Sequence, residues 1–272
     1  MRSTPDPMTA APIASDVASQ RVWVVGAGGR IGGLLGQMTR ARWAPVGLWR
    51  DDVAAALGQP GLSAPIVVCT RNDDLDSVLN DVHPSRHADL VFVQNGLFQP
   101  ALEARSLGAC TQGVLYVAVT APGGAPVPGG PSVFCGPWAS CIAEMMHAHG
   151  VEAIAVDRSA LHREIAVKLA WICCVGLLGE RTQGTVASVL GGSTSELRSL
   201  CDELHPALCR GLKLDLSATA LWDRVVAYSL RVPHFPARLK ERRWRNDAVV
   251  AMAGTIGIHL PLHRALLSAQ DG

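Results

Sequence analysis

A short run of branched residues ending on glycines constrains this chain most. Val22-Trp-Val-Val25 leads directly into Gly26-Ala27-Gly28-Gly29-Arg30-Ile31-Gly32-Gly33, and a helical pattern follows over 31–42. A strand that turns through glycines into a helix is the opening of a dinucleotide-binding unit. The glycines permit the tight turn, let a pyrophosphate reach the backbone, and let the helix approach the strand. The spacing departs from the usual one: Gly26-x-Gly28 is followed by Gly32, one residue late. The same residues also read as Gly26-x-x-Gly29-x-x-Gly32. Gly26, Ala27, Gly28, Gly29, Arg30, Ile31 and Gly32 are therefore candidate cofactor-binding residues. A glycine-rich turn without a ligand is the plain alternative.

Beyond this loop the pattern is regular. Strand-like runs at 45–49, 65–69, 89–94 and 113–120 alternate with helix-like segments at 51–57, 73–82 and 99–107. This alternation predicts an α/β domain, a Rossmann domain with a parallel sheet and helices on both faces. A Gly/Pro-rich loop over 121–131 interrupts it. A strand at 132–135, a helix at 138–150 and a strand at 152–157 then close the domain. From Ser159 to Leu267 the apolar residues recur at helical spacing, punctuated by Gly191-Gly192, Pro206, Pro233, Pro236 and Pro261. The expected division is a disordered tail over 1–20, a dinucleotide-binding domain over 21–157, and an all-helical substrate and catalytic domain over 158–272.

Composition removes other classes. The 272 residues carry a net charge of +1, and 17% are charged. This excludes a strongly basic nucleic-acid binder and a disordered acidic chain as first readings. Eight cysteines form no Cys-x-x-Cys pair, as expected of free thiols in a reducing compartment. Residues 1–20 hold no continuous apolar run, and the longest apolar stretch, 169–179, falls short of the ~20 residues that span a bilayer. The expectation is a soluble cytoplasmic protein that engages neither membrane nor nucleic acid. His147 and His149 face apart on a helix, and His83 and His87 stand in a loop, so no metal site is expected.

The second strand-like run ends Leu48-Trp49-Arg50-Asp51. A carboxylate near this strand end suits the ribose of NAD, and an arginine suits the 2′-phosphate of NADP. Arg50 thus favours NADP (NADPH), while Asp51 and Asp52 keep NAD as the alternative. Thr70 and Arg71 follow the third run and are further cofactor candidates, Arg71 as a cation or simply a surface residue. Asn95 follows the fourth run, at the strand end where open α/β sheets place ligands. It is a candidate for cofactor or substrate, or a plain Asn-Gly turn residue.

Lysine is scarce: Lys168, Lys213 and Lys240 stand among 24 basic residues. Lys168 lies on an apolar stripe with Ile165, Trp171, Ile172 and Val175. Burying a lysine without a partner is costly and lowers its pKa, which suits a general acid. A snorkelling side chain, or one paired with Glu164, is the plain alternative. Glu241 sits among Arg238, Lys240, Arg242, Arg243 and Arg245, in what otherwise reads as a solvated charged face.

At these positions the chain resembles the ketopantoate reductase family, over residues 21 to about 268. The glycine loop, Gln94-Asn95-Gly96, Lys168, and Glu241 with Asn246 carry the resemblance, and Ser229 stands at the family's Ser-to-Glu spacing from Glu241. It implies a Rossmann domain followed by a helical domain, with hydride moving from NADPH to a carbonyl. It implies Lys168 as proton donor and Glu241 as partner for the lysine and a substrate hydroxyl. It places Asn95, Ser229 and Asn246 near substrate. The family's asparagines four and eight residues after the lysine are Ile172 and Gly176 here. The expected function is an NADPH-dependent reductase for a C=O (2-keto acid-like) or C=N group with an altered, more apolar substrate pocket. The expected partner is a small carbonyl or imine molecule, and the expected assembly a monomer or homodimer. A non-catalytic dinucleotide sensor, or a non-redox enzyme on the same fold, is the alternative.

Overall fold

The computed structural model describes residues 20–38 and 42–270. The expected tail lies outside the described residues except for Gln20, which already belongs to the first strand. The first half consists of β1 (Gln20–Val25), α1 (Arg30–Gly36), β2 (Trp43–Leu48), α2 (Val53–Leu57), β3 (Ile66–Val68), α3 (Leu75–Asp81), β4 (Leu90–Phe92), α4 (Gln99–Ala104) and β5 (Thr111–Val114). A small hairpin, β6 (Val117–Ala118) and β7 (Val127–Pro128), follows. Then come β8 (Ser132–Cys135), α5 (Ala139–Ala148) and β9 (Ala153–Ala155).

Seven of these strands form one sheet in the order β2-β1-β3-β4-β5-β8-β9. Alternate residues face opposite layers, as the period of two requires. Val22, Val24, Val67 and Val91 pack with Leu35 and Met38 on one side. Val25, Ile66, Val68, Leu90 and Phe92 pack with Leu57, Leu75 and Leu102 on the other. β2 and β3 flank β1 on opposite sides, so the connections reverse direction between β1 and β3. Ligands of open α/β sheets bind at the carboxyl ends of the strands at such a reversal.

The expected parallel sheet is found over β2-β1-β3-β4-β5, and one pairing beyond it departs from that direction. β5 and β8 pair antiparallel, while β8 and β9 are parallel. A parallel neighbour needs a crossover over one face of the sheet, usually a helix. Between β5 and β8 the Gly/Pro-rich chain forms the β6–β7 hairpin instead. The strand expected over 113–120 is divided for the same reason. The first helix ends at Gly36, short of the expected Arg42, and residues 39–41 lie outside the described ones.

Helices make up the rest: α6 (Arg158–Thr182), α7 (Val186–Gly192), α8 (Thr194–Gly211), α9 (Ala218–Arg231), α10 (Asn246–Thr255) and α11 (Pro261–Ser268). Asp157 caps α6, accepting from the Ala160 N–H at 2.7 Å. From Ile165 to Gly179 that helix is buried on nearly every side. An all-round apolar helix belongs at the centre, and the other helices wrap it. Pro206 does not end a helix but sits inside α8, where the Asp202 carbonyl loses its helical donor.

The connector over 232–240 crosses α6 at close range. A Cβ on Gly179 would lie 2.1 Å from the Ala237 Cβ, and one on Gly176 would lie 2.8 Å from the Arg238 carbonyl oxygen. Gly179→Ala is expected to push this connector away. Overpacking costs about 1–3 kcal/mol, and each kcal/mol moves Tm by roughly 2–4 °C in a chain of this size. Thermal unfolding of the variant checks this; an unchanged Tm would show that the connector yields freely.

Candidate functional site

Three glycines at a spacing of three shape the loop after β1. Gly26 adopts φ +85°, and a Cβ there would press within 3.1 Å of the Cys69–Thr70 backbone. Gly29 is the residue before α1 and donates to the Gly26 carbonyl at 2.9 Å. A Cβ on Gly32 would sit 2.1 Å from that same carbonyl oxygen. The turn, the loop floor and the helix–strand approach therefore fall on Gly26, Gly29 and Gly32. Gly28 plays a different part: the Trp49 ring lies against it, where a Cβ would stand 2.1 Å away. Ala27 lies beside Gly47 of β2.

The loop opens into a cleft of about 710 Å³ at the carboxyl ends of β1, β3 and β4. Gly29, Arg30 and Ile31 line one side, Thr70, Arg71, Gln94 and Asn95 the floor, and Lys240 and Glu241 the far wall. Thr70 Oγ1 and Gln94 Oε1 are buried there without a hydrogen-bond partner. Arg50 stands outside this lining, exposed and paired with Asp74 at 2.8 Å. Trp49 beside it is 65% exposed.

A second cavity of about 210 Å³ shares Arg30, Asn95 and Lys240 with the cleft. Lys168, Trp171, Ile172, Val175, Gly176 and Tyr228 form its inner wall. Lys168 is only 8% exposed. Its Nζ donates to the Tyr228 hydroxyl at 2.8 Å and lies 4.2, 5.0 and 5.3 Å from the ring centres of Tyr228, Tyr116 and Trp171. Burial pulls its pKa down to about 7, and the Arg245 charge adds to the fall. Glu164 is not its partner. That carboxylate accepts from Tyr116 Oη at 2.9 Å and from Arg224 at 2.6 Å.

Glu241 is held elsewhere as well. It has left-handed backbone, with φ +45°. Its carboxylate accepts from Arg245 at 2.7 Å, from the Asn72 N–H at 3.2 Å and from Asn72 Nδ2 at 3.4 Å. Asn72 Nδ2 also donates to the Asn95 carbonyl at 2.8 Å. The loops after β3 and β4 are thus tied to the C-terminal segment. Trp244 reinforces the tie through its indole N–H to Asp73 and its carbonyl to the Leu97 N–H.

Two other candidates lie away from both openings. Ser229 is fully buried; its hydroxyl donates to the Val225 carbonyl and accepts from Trp171 Nε1 at 2.9 Å. It orients the Trp171 indole rather than facing the cavity. Asn246, equally buried, donates to the Cys173 carbonyl and meets His263 Nε2 at 3.1 Å. It fastens α10 to α6 and α11.

No family model matches this chain, and no curated protein matches it. Solved structures do. 2-Dehydropantoate 2-reductase from Methylococcus capsulatus superposes with a TM-score of 0.71 at 13% identity, covering 92% of this chain and 96% of that one. The probable 2-dehydropantoate 2-reductase of Bacillus subtilis gives 0.65 at 14%, covering 92% and 98%. D-Mandelate dehydrogenase, solved with NADH, gives 0.67 at 16%, covering 91% and 96%. The chain has the ketopantoate reductase fold.

Within the ketopantoate reductase fold, the residues that surround Lys168 here were partly hidden in the sequence. The chain has only two tyrosines, Tyr116 and Tyr228, and both stack on this lysine. Their rarity was the available signal. Asn72 and Arg245 gave none, because each acts through contacts distant in sequence.

The buried lysine makes stability depend on pH. Its folded pKa is about 7 against an ordinary 10.5. Between these values the unfolded chain holds the proton and the folded chain does not, so stability rises with pH across that window. Below it the cost of the buried charge is complete. Lys168→Met is expected to raise Tm most below pH 7, with the gain shrinking towards pH 10.5. Melting curves across this range check it, and a lower Tm at every pH would show that the lysine's contacts outweigh its desolvation.

Proposed function

We propose that the protein is an NADPH-dependent reductase that transfers hydride to a C=O or C=N group of a small 2-keto acid-like molecule. The carrying observation is a buried lysine with a pKa near neutrality, in a cavity that shares Arg30, Asn95 and Lys240 with a glycine-walled cleft. In this reading residues 21–157 hold the dinucleotide, and residues 158–272 supply most of the substrate wall.

The cleft suits a dinucleotide. Gly26, Gly29 and Gly32 leave the backbone open to a pyrophosphate, and the unpartnered Thr70 and Gln94 oxygens are available to its polar groups. Arg71, with Arg50 after release from Asp74, would hold a 2′-phosphate. That ion pair is exposed, so releasing it costs under about 1 kcal/mol. When bound, the reduced nicotinamide supplies the hydride. Lys168 supplies the proton. Arg30, Lys240 and Arg245 give the cavity an excess of positive charge, and Arg245 Nε is buried without a partner. This favours a substrate carboxylate, with the apolar body against Ile172, Val175 and Phe235. Glu241 and Asn72 position Arg245 and Asn95. Eight unpaired cysteines fit a reducing cytoplasm. The assembly is a monomer or a homodimer; the related reductase of Staphylococcus aureus is described as dimeric.

Fluorescence titration with NADPH and, separately, NADH tests the reading. NADPH is expected to bind more tightly. Arg50→Ala with Arg71→Ala should weaken NADPH about tenfold or more, the scale of one charged hydrogen bond, and leave NADH unchanged. Binding of neither nucleotide would remove the proposal. Turnover should hold below pH 7 and fall about tenfold per unit above it as the Lys168 ammonium is lost, which a pH–rate profile reads.

One observation favours a second reading. The two family amides after the lysine are absent, and the Arg238 backbone carbonyl crowds the space above Gly176. A dinucleotide-binding protein without chemistry would retain NADPH and oxidise it with no 2-oxo acid, ketone or imine.

A further inference from the structure

Among the described residues, Tyr228 holds a proton without a partner. Lys168 Nζ donates to its hydroxyl oxygen at 2.8 Å, which leaves the hydroxyl hydrogen free. Among the described residues no acceptor takes that hydrogen. Tyr116 differs, since its hydroxyl donates to Glu164. Tyr228 is buried, and a buried donor without a partner is costly. The hydroxyl sits on Lys168, and both residues line the 210 Å³ cavity, so an acceptor for this hydrogen is expected to come from a bound molecule.

The ring is also held in place. Trp171 packs against it at 4.6 Å between centres and Tyr116 at 5.0 Å, both edge-on. The Gly/Pro-rich loop closes another side: a Cβ on Gly129 would lie 2.3 Å from Tyr228 Cε2, and Gly129 is anchored by its N–H to the Tyr116 carbonyl. A fixed donor is what transition-state positioning needs.

We propose that Tyr228 is a catalytic residue whose O–H donates directly to the substrate's carbonyl oxygen or imine nitrogen, with Lys168 replacing the proton. The proposal rests on the reductase reading. The substrate carbon gains the hydride and its oxygen or nitrogen gains the Tyr228 proton. The phenol O–H bond breaks as a proton moves from the lysine to the phenol oxygen. The lysine is left neutral and regains its proton from water. Substrate is reduced, the nicotinamide is oxidised, and no phenolate remains. The proton affinities fit this order: burial pushes the phenol up to about 12, so it stays protonated, while the lysine titrates near 7. The charged groups around the pair are Arg245 from the C-terminal segment, Arg30 from the glycine loop, Arg238 and Lys240 from the connector, and Glu164 with Arg224 behind Tyr116.

The test compares wild type, Tyr228→Phe and Lys168→Ala in the full chain. Phenylalanine keeps the ring and its packing and removes only the hydroxyl. With NADPH and a panel of 2-oxo acids bearing apolar side chains, Tyr228→Phe is expected to lower kcat about 100-fold or more, the usual range for a lost general acid. KM and the NADPH Kd should stay near wild type. An independent reading comes from NMR of isotopically labelled lysine, since the chain has only three. The Lys168 signal should titrate near pH 7 in wild type and lower still in Tyr228→Phe, where the ammonium loses its acceptor. Should Tyr228→Phe fail to fold, Gly129→Ala displaces the ring and should reduce kcat with the NADPH Kd unchanged. Wild-type kcat and pH profile in Tyr228→Phe, with Lys168→Ala inactive, would overturn the tyrosine's role and leave the reductase reading intact. Failure of wild type to oxidise NADPH with any acid tested would overturn both.

Discussion

A single ammonium group sets the terms for the centre of this molecule. Lys168 lies midway along a helix whose central turns are apolar on almost every side, and no carboxylate among the described residues neutralises it. An isolated charge in such a setting is costly, so the protein meets it with weaker, distributed compensation. Three aromatic rings present their faces, one hydroxyl accepts a hydrogen bond, and the amine's proton affinity falls. Cation–π contact with desolvated rings contributes about 2 kcal/mol or more, which offsets part of the cost of burying the charge. The result is a lysine poised between its charged and neutral forms. In the proposed reductase, this arrangement would hold a proton ready to move.

The second constraint is the seam between sheet and helices. Asn72 is its hub: its amide reaches the Asn95 carbonyl on one side and Glu241 on the other. Glu241 in turn holds Arg245, which contributes to lowering the Lys168 pKa. The loops that floor the cleft and the arginine that charges the inner cavity thus belong to one hydrogen-bonded unit. The loop after β3 is thereby linked, through Glu241 and Arg245, to the charge beside the lysine. The link runs from the Asn72 N–H to Glu241 at 3.2 Å, from Arg245 to Glu241 at 2.7 Å, and from the Arg245 charge to Lys168.

Legibility in the sequence tracked how local each feature is. The glycine loop was readable because turn, floor and helix approach all arise within seven residues. The strand–helix alternation and the change to helices after Asp157 were readable because periodicity is also local. The reversal of β8 was not, because sheet direction is decided by whether a crossover covers one face, and the Gly/Pro loop hid a hairpin. Lys168 stood out as a charge on an apolar stripe, whereas its partners Tyr116 and Tyr228 lie 52 residues before and 60 after it and share no pattern with it. Spacing to Glu241 singled out Ser229, yet one residue back on the same helix, Tyr228 is the side chain that reaches the cavity. A helix turns about 100° per residue, so adjacent positions address different surroundings.

The fold persists here at 13–16% identity, and the inner wall shows how. A fold needs apolar residues at the right period, and Ile172 and Gly176 satisfy that as well as any amide would. A binding site needs particular polar groups at particular places. At Ile172 and Gly176 the wall offers no side-chain hydrogen bond, and an apolar surface discriminates by only about 1–3 kcal/mol per methylene. Selectivity in such a pocket shifts to what remains polar. At Lys168, Tyr228, Arg245, Lys240 and Arg30, that means one lysine–tyrosine hydrogen bond and an excess of positive charge. In the proposed reductase, such a wall would grip the acid end of a substrate and tolerate variation in its body. Changes along Ile172, Val175 and Phe235 should therefore retune which body fits without disturbing the chemistry at the lysine, because those side chains touch the cavity but not the hydrogen bond between Lys168 and Tyr228.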